Sequence, residues 1–164
     1  MYAKEKEGPQ PGSLEWILHQ QKITRAYKRA AIPYFREKYE ALAKEKLRDL
    51  NKEKTRYEAG LAKLTKGTKR YKAREAEFKT ILNKIKAQKI LLIYAKMFTA
   101  QLDAYDAKDT ATHNKQNIIC TELRNKYTEF TNEPFPNFIE EYKVIRAKRK
   151  GKTKSTKKRQ ASTQ

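Results

Sequence analysis

The feature that most limits what this chain can become is how rarely it is punctuated. Its five prolines and five glycines sit at residues 8–12, at Pro33, Gly60 and Gly67, at Pro134 and Pro136, and at Gly151. Long stretches therefore hold nothing that breaks a helix and little that could build hairpin turns or sheet corners. Apolar residues recur at helical spacing, and none alternates over more than a few positions. The expectation is an all-α chain, at least about 60% helical by this pattern, with a long antiparallel coiled-coil-like hairpin on a small helical base and a disordered basic C-terminal tail.

Residues 1–12, with Gly8, Pro9, Pro11 and Gly12, read as a flexible lead, and residues 13–145 as the helical domain. Ser13 stands as an N-cap for a first helix over 13–31, whose apolar stripe comprises Trp16, Ile17, Ile23, Ala26, Tyr27 and Ala30. Pro33 ends or kinks it, or opens the next. Over 34–65 the residues Ala43, Leu47, Leu50, Tyr57, Leu61 and Leu64 alternate steps of three and four, interrupted only by Lys54, as a heptad seam does. Gly67 is expected as the residue that stops this helix and reverses the chain.

A third helix is expected over 69–107, with Tyr71, Phe78, Ile81, Leu82, Ile85, Leu92 and Leu102 on or near one face. The shorter arm of the pair, residues 34–65, spans roughly 48 Å at 1.5 Å per residue. The run ILLIYAKMF at 90–98 is apolar nearly all round, so it should be enclosed, with Leu92 almost fully buried. Residues 110–131 form a further helical segment. Asp109 or Thr110 can cap it anew, or the third helix can continue through it. After the turn Asn132-Glu133-Pro134-Phe135-Pro136, Asn137 can cap a last helix over 138–148 that docks through Phe135, Phe138 and Tyr142.

Charge is distributed unevenly. Of the net charge of +20, residues 1–62 carry +5, residues 63–89 carry +8 from ten basic and two acidic groups, and residues 90–142 carry −3. The segment 143–164 holds ten cations and no acid. Two clusters stand out as polyanion-binding candidates: Lys63, Lys66, Lys69, Arg70, Lys72 and Arg74 around Gly67, and Arg146, Lys148, Arg149, Lys150, Lys152, Lys154, Lys157, Lys158 and Arg159 in the tail 146–164. Where acids are interleaved, over 34–62, the lysines and arginines read as a solvated helix face. The tail is too poor in apolar residues to fold alone, and the cellular polyanion of matching charge density is nucleic acid. Tyr57, Tyr71 and Phe78 lie among the basic residues where bases could stack, but they also fit the apolar seam, and packing is the preferred reading.

Catalytic chemistry finds little support. No phosphate-binding glycine loop, nucleophile elbow or HExxH motif occurs, and His19 and His113 stand apart from cysteine and from each other. Asp103, Asp106 and Asp109 share a helical face, read as an acidic patch before a cation site. Cys120, the single cysteine, reads as a buried filler in a reducing, intracellular compartment. No uncharged apolar run is long enough for a membrane span. The N-terminus carries Glu5 and Glu7 and no apolar core of a targeting peptide.

These observations lead to the expectation of a non-enzymatic structural RNA-binding subunit of a large ribonucleoprotein, a ribosome foremost and an organellar one included. It needs no cofactor, metal or small-molecule substrate, and its partners are RNA and neighbouring proteins. Cytoplasm, nucleus and organelle matrix remain equal candidates for its location. RNA is favoured over DNA because no duplex-reading motif is present. The alternatives are a nuclear or virion DNA-associated basic helical protein, and a coiled-coil interaction adaptor whose Lys148-Arg149-Lys150 and Lys157-Lys158-Arg159 clusters serve nuclear localisation.

Overall fold

The computed structural model describes the backbone of residues 10–162 and the side chains of residues 10–150. Every regular element among them is a helix, 87% of the residues are helical and no strand occurs. Helix α1 covers Leu14–Phe35, α2 Ala41–Ala62, α3 Lys69–Asp106, α4 Thr110–Thr131 and α5 Phe138–Ser162. The chain divides into two compact units, one of residues 10–34 and 137–162 and the other of Phe35–Pro136. Residues 1–9 of the expected N-terminal lead lie outside the described residues.

Pro33 neither ends α1 nor starts α2. It lies inside α1, and five residues of π-helix, Arg36–Glu40, carry the chain into α2 with the Ala41 N–H donating to the Arg36 carbonyl. A proline removes one i→i−4 bond and crowds the preceding turn. At the start of α1, Ser13 Oγ accepts from the Trp16 N–H at 3.1 Å, the predicted cap.

In the second unit α3 is the spine, packed against α2 and α4. The seam positions Ala43, Leu47, Leu50, Lys54, Tyr57, Leu61 and Leu64 are buried or half-buried, while most residues between them face solvent. Helix α2 ends at Ala62, and Gly67 is not its capping residue: it supplies the left-handed step of the following turn at φ +88°. The α3–α4 break left open by the sequence is real. Lys108 adopts φ +59°, and Asp109 Oδ1 caps α4 by accepting from the Thr112 N–H at 3.2 Å. Contacts then step antiparallel along the two helices, from Tyr105 with His113, through Gln101 with Asn117 and Tyr94 with Arg124, to Lys86 over Phe130.

The core of this unit is aromatic. Tyr94 and Phe135 lie 4.5 Å apart between ring centroids, and Phe35, Phe98 and Tyr127 surround them. Arg124 Nη1 donates to the Tyr94 hydroxyl at 2.7 Å. Burial raises the hydroxyl's pKa above that of a free tyrosine, with Arg124 opposing the shift. Cys120 is fully buried and its thiol is likewise pushed up by desolvation. One expectation fails here: Leu91 is buried at 4% exposure, while Leu92 is only half-buried and Ile93 is 43% exposed. The run 90–98 packs on one broad face and is not enclosed all round.

In the first unit, Tyr142 of α5 meets Tyr27 edge-on at 6.4 Å and Tyr34 at 6.2 Å, and the Tyr34 hydroxyl donates to Glu141 at 2.8 Å. Asn137 caps α5 through Oδ1, accepting from the Glu140 N–H. The helix then runs to Ser162, well beyond the expected end at 148 and through the segment read as a disordered tail. Lysine and arginine are good helix formers, and cations near a helix C-terminus are favoured by its dipole.

Among the described residues no helix is long and apolar enough to cross a membrane.

Candidate nucleic-acid interface

The turn between α2 and α3 is fixed by backbone and threonine bonds. The Lys63 N–H reaches the Gly60 carbonyl at 3.3 Å and the Leu64 N–H the Leu61 carbonyl at 3.1 Å, closing α2. Thr68 is extended, at ψ 157°, and caps α3: its Oγ1 accepts from the Tyr71 N–H at 3.2 Å and donates to the Thr65 carbonyl at 2.8 Å. A threonine three residues before Tyr71 is a standard N-cap signal, and the expectation for residues 69–107 named no cap.

This turn presents Lys63, Lys66, Lys69, Arg70 and Lys72, all exposed. Lys69, Arg70 and Lys72 occupy the first turn of α3, which contains no acidic residue. That is the wrong end of a helix for cations. The unsatisfied N–H groups there carry about half a positive charge, and each misplaced cation costs about 0.3–1 kcal/mol. The same N–H groups and side chains together favour an anion.

Arg74 does not join them. Its guanidinium lies over the Tyr57 ring at 4.0 Å, approaches Glu77 at 3.8 Å, and rests against Gly60, where a Cβ would meet it at 3.4 Å. A hydrogen bond to Glu77, with burial and charge adding, raises the Tyr57 pKa. Arg74 is half-buried and engaged in joining α2 to α3. Tyr57, Tyr71 and Phe78 are also half-buried along this seam.

On α5, Arg146, Lys148, Arg149 and Lys150 are exposed, and Arg146 leans over Tyr27 at 5.2 Å. The side chains of Lys152, Lys154, Lys157, Lys158 and Arg159 lie outside the described residues, although their backbone belongs to α5. The turn cluster belongs to the second unit and the tail to the first.

Among the described residues, no group of three or more His, Cys, Asp or Glu side chains is placed to hold a metal ion. Asp109, one of the three aspartates singled out, is the α4 cap, and the Thr112 hydrogen bonds hold its carboxyl below the usual carboxylate range. His113 sits edge-on to Tyr105 with Nδ1 3.2 Å from the Gln101 carbonyl. No protein-family model, no curated protein and no solved structure matches the chain.

Proposed function

We propose that this protein is a structural RNA-binding subunit of a large ribonucleoprotein, a ribosome being the expected assembly. Helices α2 and α3 act as a rigid antiparallel hairpin whose turn delivers Lys63, Lys66, Lys69, Arg70 and Lys72 to RNA phosphates, and the basic end of α5 reads charge along the backbone. The observation that carries this reading is the trio Lys69, Arg70 and Lys72 in the first turn of α3. These cations work against the helix that bears them, so solubility alone is a poor explanation for their position.

Like charges along the tail make it a marginal helix in water, which a polyanion would stabilise. The exposed apolar residues Leu14 and Leu18 on α1, 72% and 55% accessible, offer a contact for a neighbouring protein of the assembly. In this reading the protein works inside the cell without catalysis, cofactor or small-molecule substrate, and the single buried thiol Cys120 suits a reducing compartment.

The test is co-sedimentation with ribonucleoprotein particles. The intact chain should pellet with ribosomal particles and be released by ribonuclease or high salt. Neutralising ten phosphates with the ten cations of residues 143–164 gives a log–log salt slope of roughly −7 to −9. Deleting residues 146–164 should flatten that slope and weaken binding to every sequence. Replacing Lys66, Lys69, Arg70 and Lys72 together with Gln should abolish correct placement while leaving the helices intact. Normal assembly of this turn variant, with loss only in the deletion, would instead favour the adaptor reading, in which the hairpin binds protein.

A further inference from the structure

The first unit contains a cleft that neither cationic cluster accounts for. Between α1 and the start of α5 lies an open hollow of about 520 Å³, within the roughly 300–1,000 Å³ typical of small-ligand sites. Its lining is mixed in a particular way. Tyr27 and Ile23 supply an aromatic and aliphatic surface, Thr24 and Asn137 supply polar groups, and Lys28 and Lys143 supply cations. Tyr27 already gathers positive charge: Lys143 Nζ is 5.5 Å and Arg146 5.2 Å from its ring centroid. Lys143 is also 3.4 Å from Glu140, in an exposed i, i+3 pair of the kind that contributes little and exchanges readily. The cations of α5 continue from this rim without an intervening acid.

An aromatic ring, hydrogen-bonding groups beside it, a half-buried Lys28 and an exposed Lys143 are the complement of a nucleotide: a π face, a polar edge and a phosphate. We propose that this cleft holds one unpaired nucleotide of a single-stranded RNA, with its base against Tyr27 and its phosphate taken by Lys28 and Lys143, the strand continuing along α5. The inference rests on the RNA-binding reading above and adds to it a contact to a base, where both other clusters contact phosphate alone. Stacking on an aromatic ring tolerates any base, so the cleft confers a preference for unpaired strands over duplex without reading a sequence. The incoming phosphate competes with Glu140 for Lys143, and the NH2 group of Asn137, whose Oδ1 stays committed to the α5 cap, can reach the base edge. An acidic peptide would satisfy the cations but leave the Tyr27 wall without a planar partner.

The experiment uses the full chain and two probes matched in charge, a short oligoadenylate and an inorganic polyphosphate, with binding followed at one ionic strength. Trp16, the only tryptophan, lies one helical turn before the cleft residue Gln20 and serves as the reporter. The intact chain should bind oligoadenylate about 5- to 150-fold more tightly than polyphosphate, the worth of one stacked base. Oligoadenylate alone should quench the tryptophan.

Tyr27→Leu should remove both the preference and the quench while leaving polyphosphate affinity unchanged. Because Tyr27 also packs on Tyr142, Thr24→Leu serves as the second variant: it fills the cleft from an exposed helical position and should have the same effect. Oligoadenylate affinity unaffected by either variant, or equal loss for both probes, overturns the cleft as a base site and leaves the phosphate-binding reading standing. An intact chain that binds neither probe overturns both.

Discussion

Helix α3 joins two unlike regions. From Ile85 onward, Ile85, Ile90, Leu91, Tyr94, Phe98 and Leu102 are each 6% exposed or less, whereas in its first three turns only Tyr71, Arg74 and Phe78 reach even half burial. The charge runs the other way: the first half, with the preceding turn, holds most of the +8 block, and the residues after it are slightly acidic. The buried half is paired with α4 and closed by Phe35 and Phe135, while the basic half has only the narrow seam of α2. Stability is therefore concentrated at one end of the helix and charge at the other, so substitutions should affect folding or polyanion binding separately.

The largest effects belong to the aromatic end. Phe35→Ala, at a side chain 1% exposed between Tyr39, Tyr94 and Phe135, should cost about 3–5 kcal/mol in urea unfolding. Leu91→Ala should cost about 2–5 kcal/mol and clearly more than Leu92→Ala, because only Leu91 is buried. Equal losses at 91 and 92 would break the one-faced picture of the 90–98 run. The turn variant with four glutamines should stay within about 0.5 kcal/mol per site. A loss comparable to that of Leu91→Ala would mean that the basic end carries stability as well.

The same end should respond to alkali. Tyr94 has a raised pKa through burial, so the folded state holds that proton more tightly than the unfolded chain. The stabilisation is full below the tyrosine value of about 10 in the unfolded chain and is lost as pH rises through the folded-state pKa. Tyr94→Phe should therefore flatten the fall in the unfolding midpoint above that pH. An unchanged alkaline slope would assign the fall to other groups, Cys120 and Tyr127 first, whose pKa values burial also raises.

How much of this was legible in the sequence differs between the two regions for a physical reason. The buried side of α2 could be read because a narrow helix–helix contact repeats with the helical period, and Lys54 is half-buried along with the apolar members. Leu92 could not, because a run of apolar residues conceals which side is covered. Pro33 did not mark a helix boundary: it lies inside α1, and the π segment Arg36–Glu40 follows it, an arrangement that local propensity does not register. The cations around Gly67 were visible as a block, but the loss of Arg74 to Tyr57 and Glu77 needed the structure. The cleft lining comes from residues 20–28 and 137–143, segments too far apart in sequence for any local pattern to join.

A smaller effect would sharpen the basic end. Thr68→Ala removes the α3 cap and should cost about 1 kcal/mol, with Thr68→Ser recovering most of it. The loss should appear as fraying of the first turn of α3 in amide hydrogen exchange, with the aromatic end unchanged. Faster exchange at both ends would show that the two halves of α3 are coupled.

The smallest stability change carries the most weight. Arg70 sits in the first turn of α3, where the helix field opposes a cation and favours an anion. Arg70→Glu, measured on one preparation for both unfolding and RNA binding, should raise stability by roughly 0.3–1 kcal/mol. It should also weaken RNA binding and lower the magnitude of the salt slope by about 0.7–0.9. A more stable protein that binds RNA less well is the expected outcome; a variant that gains stability and binds RNA as tightly as before, with the same slope, would contradict the assignment of this turn to phosphate binding.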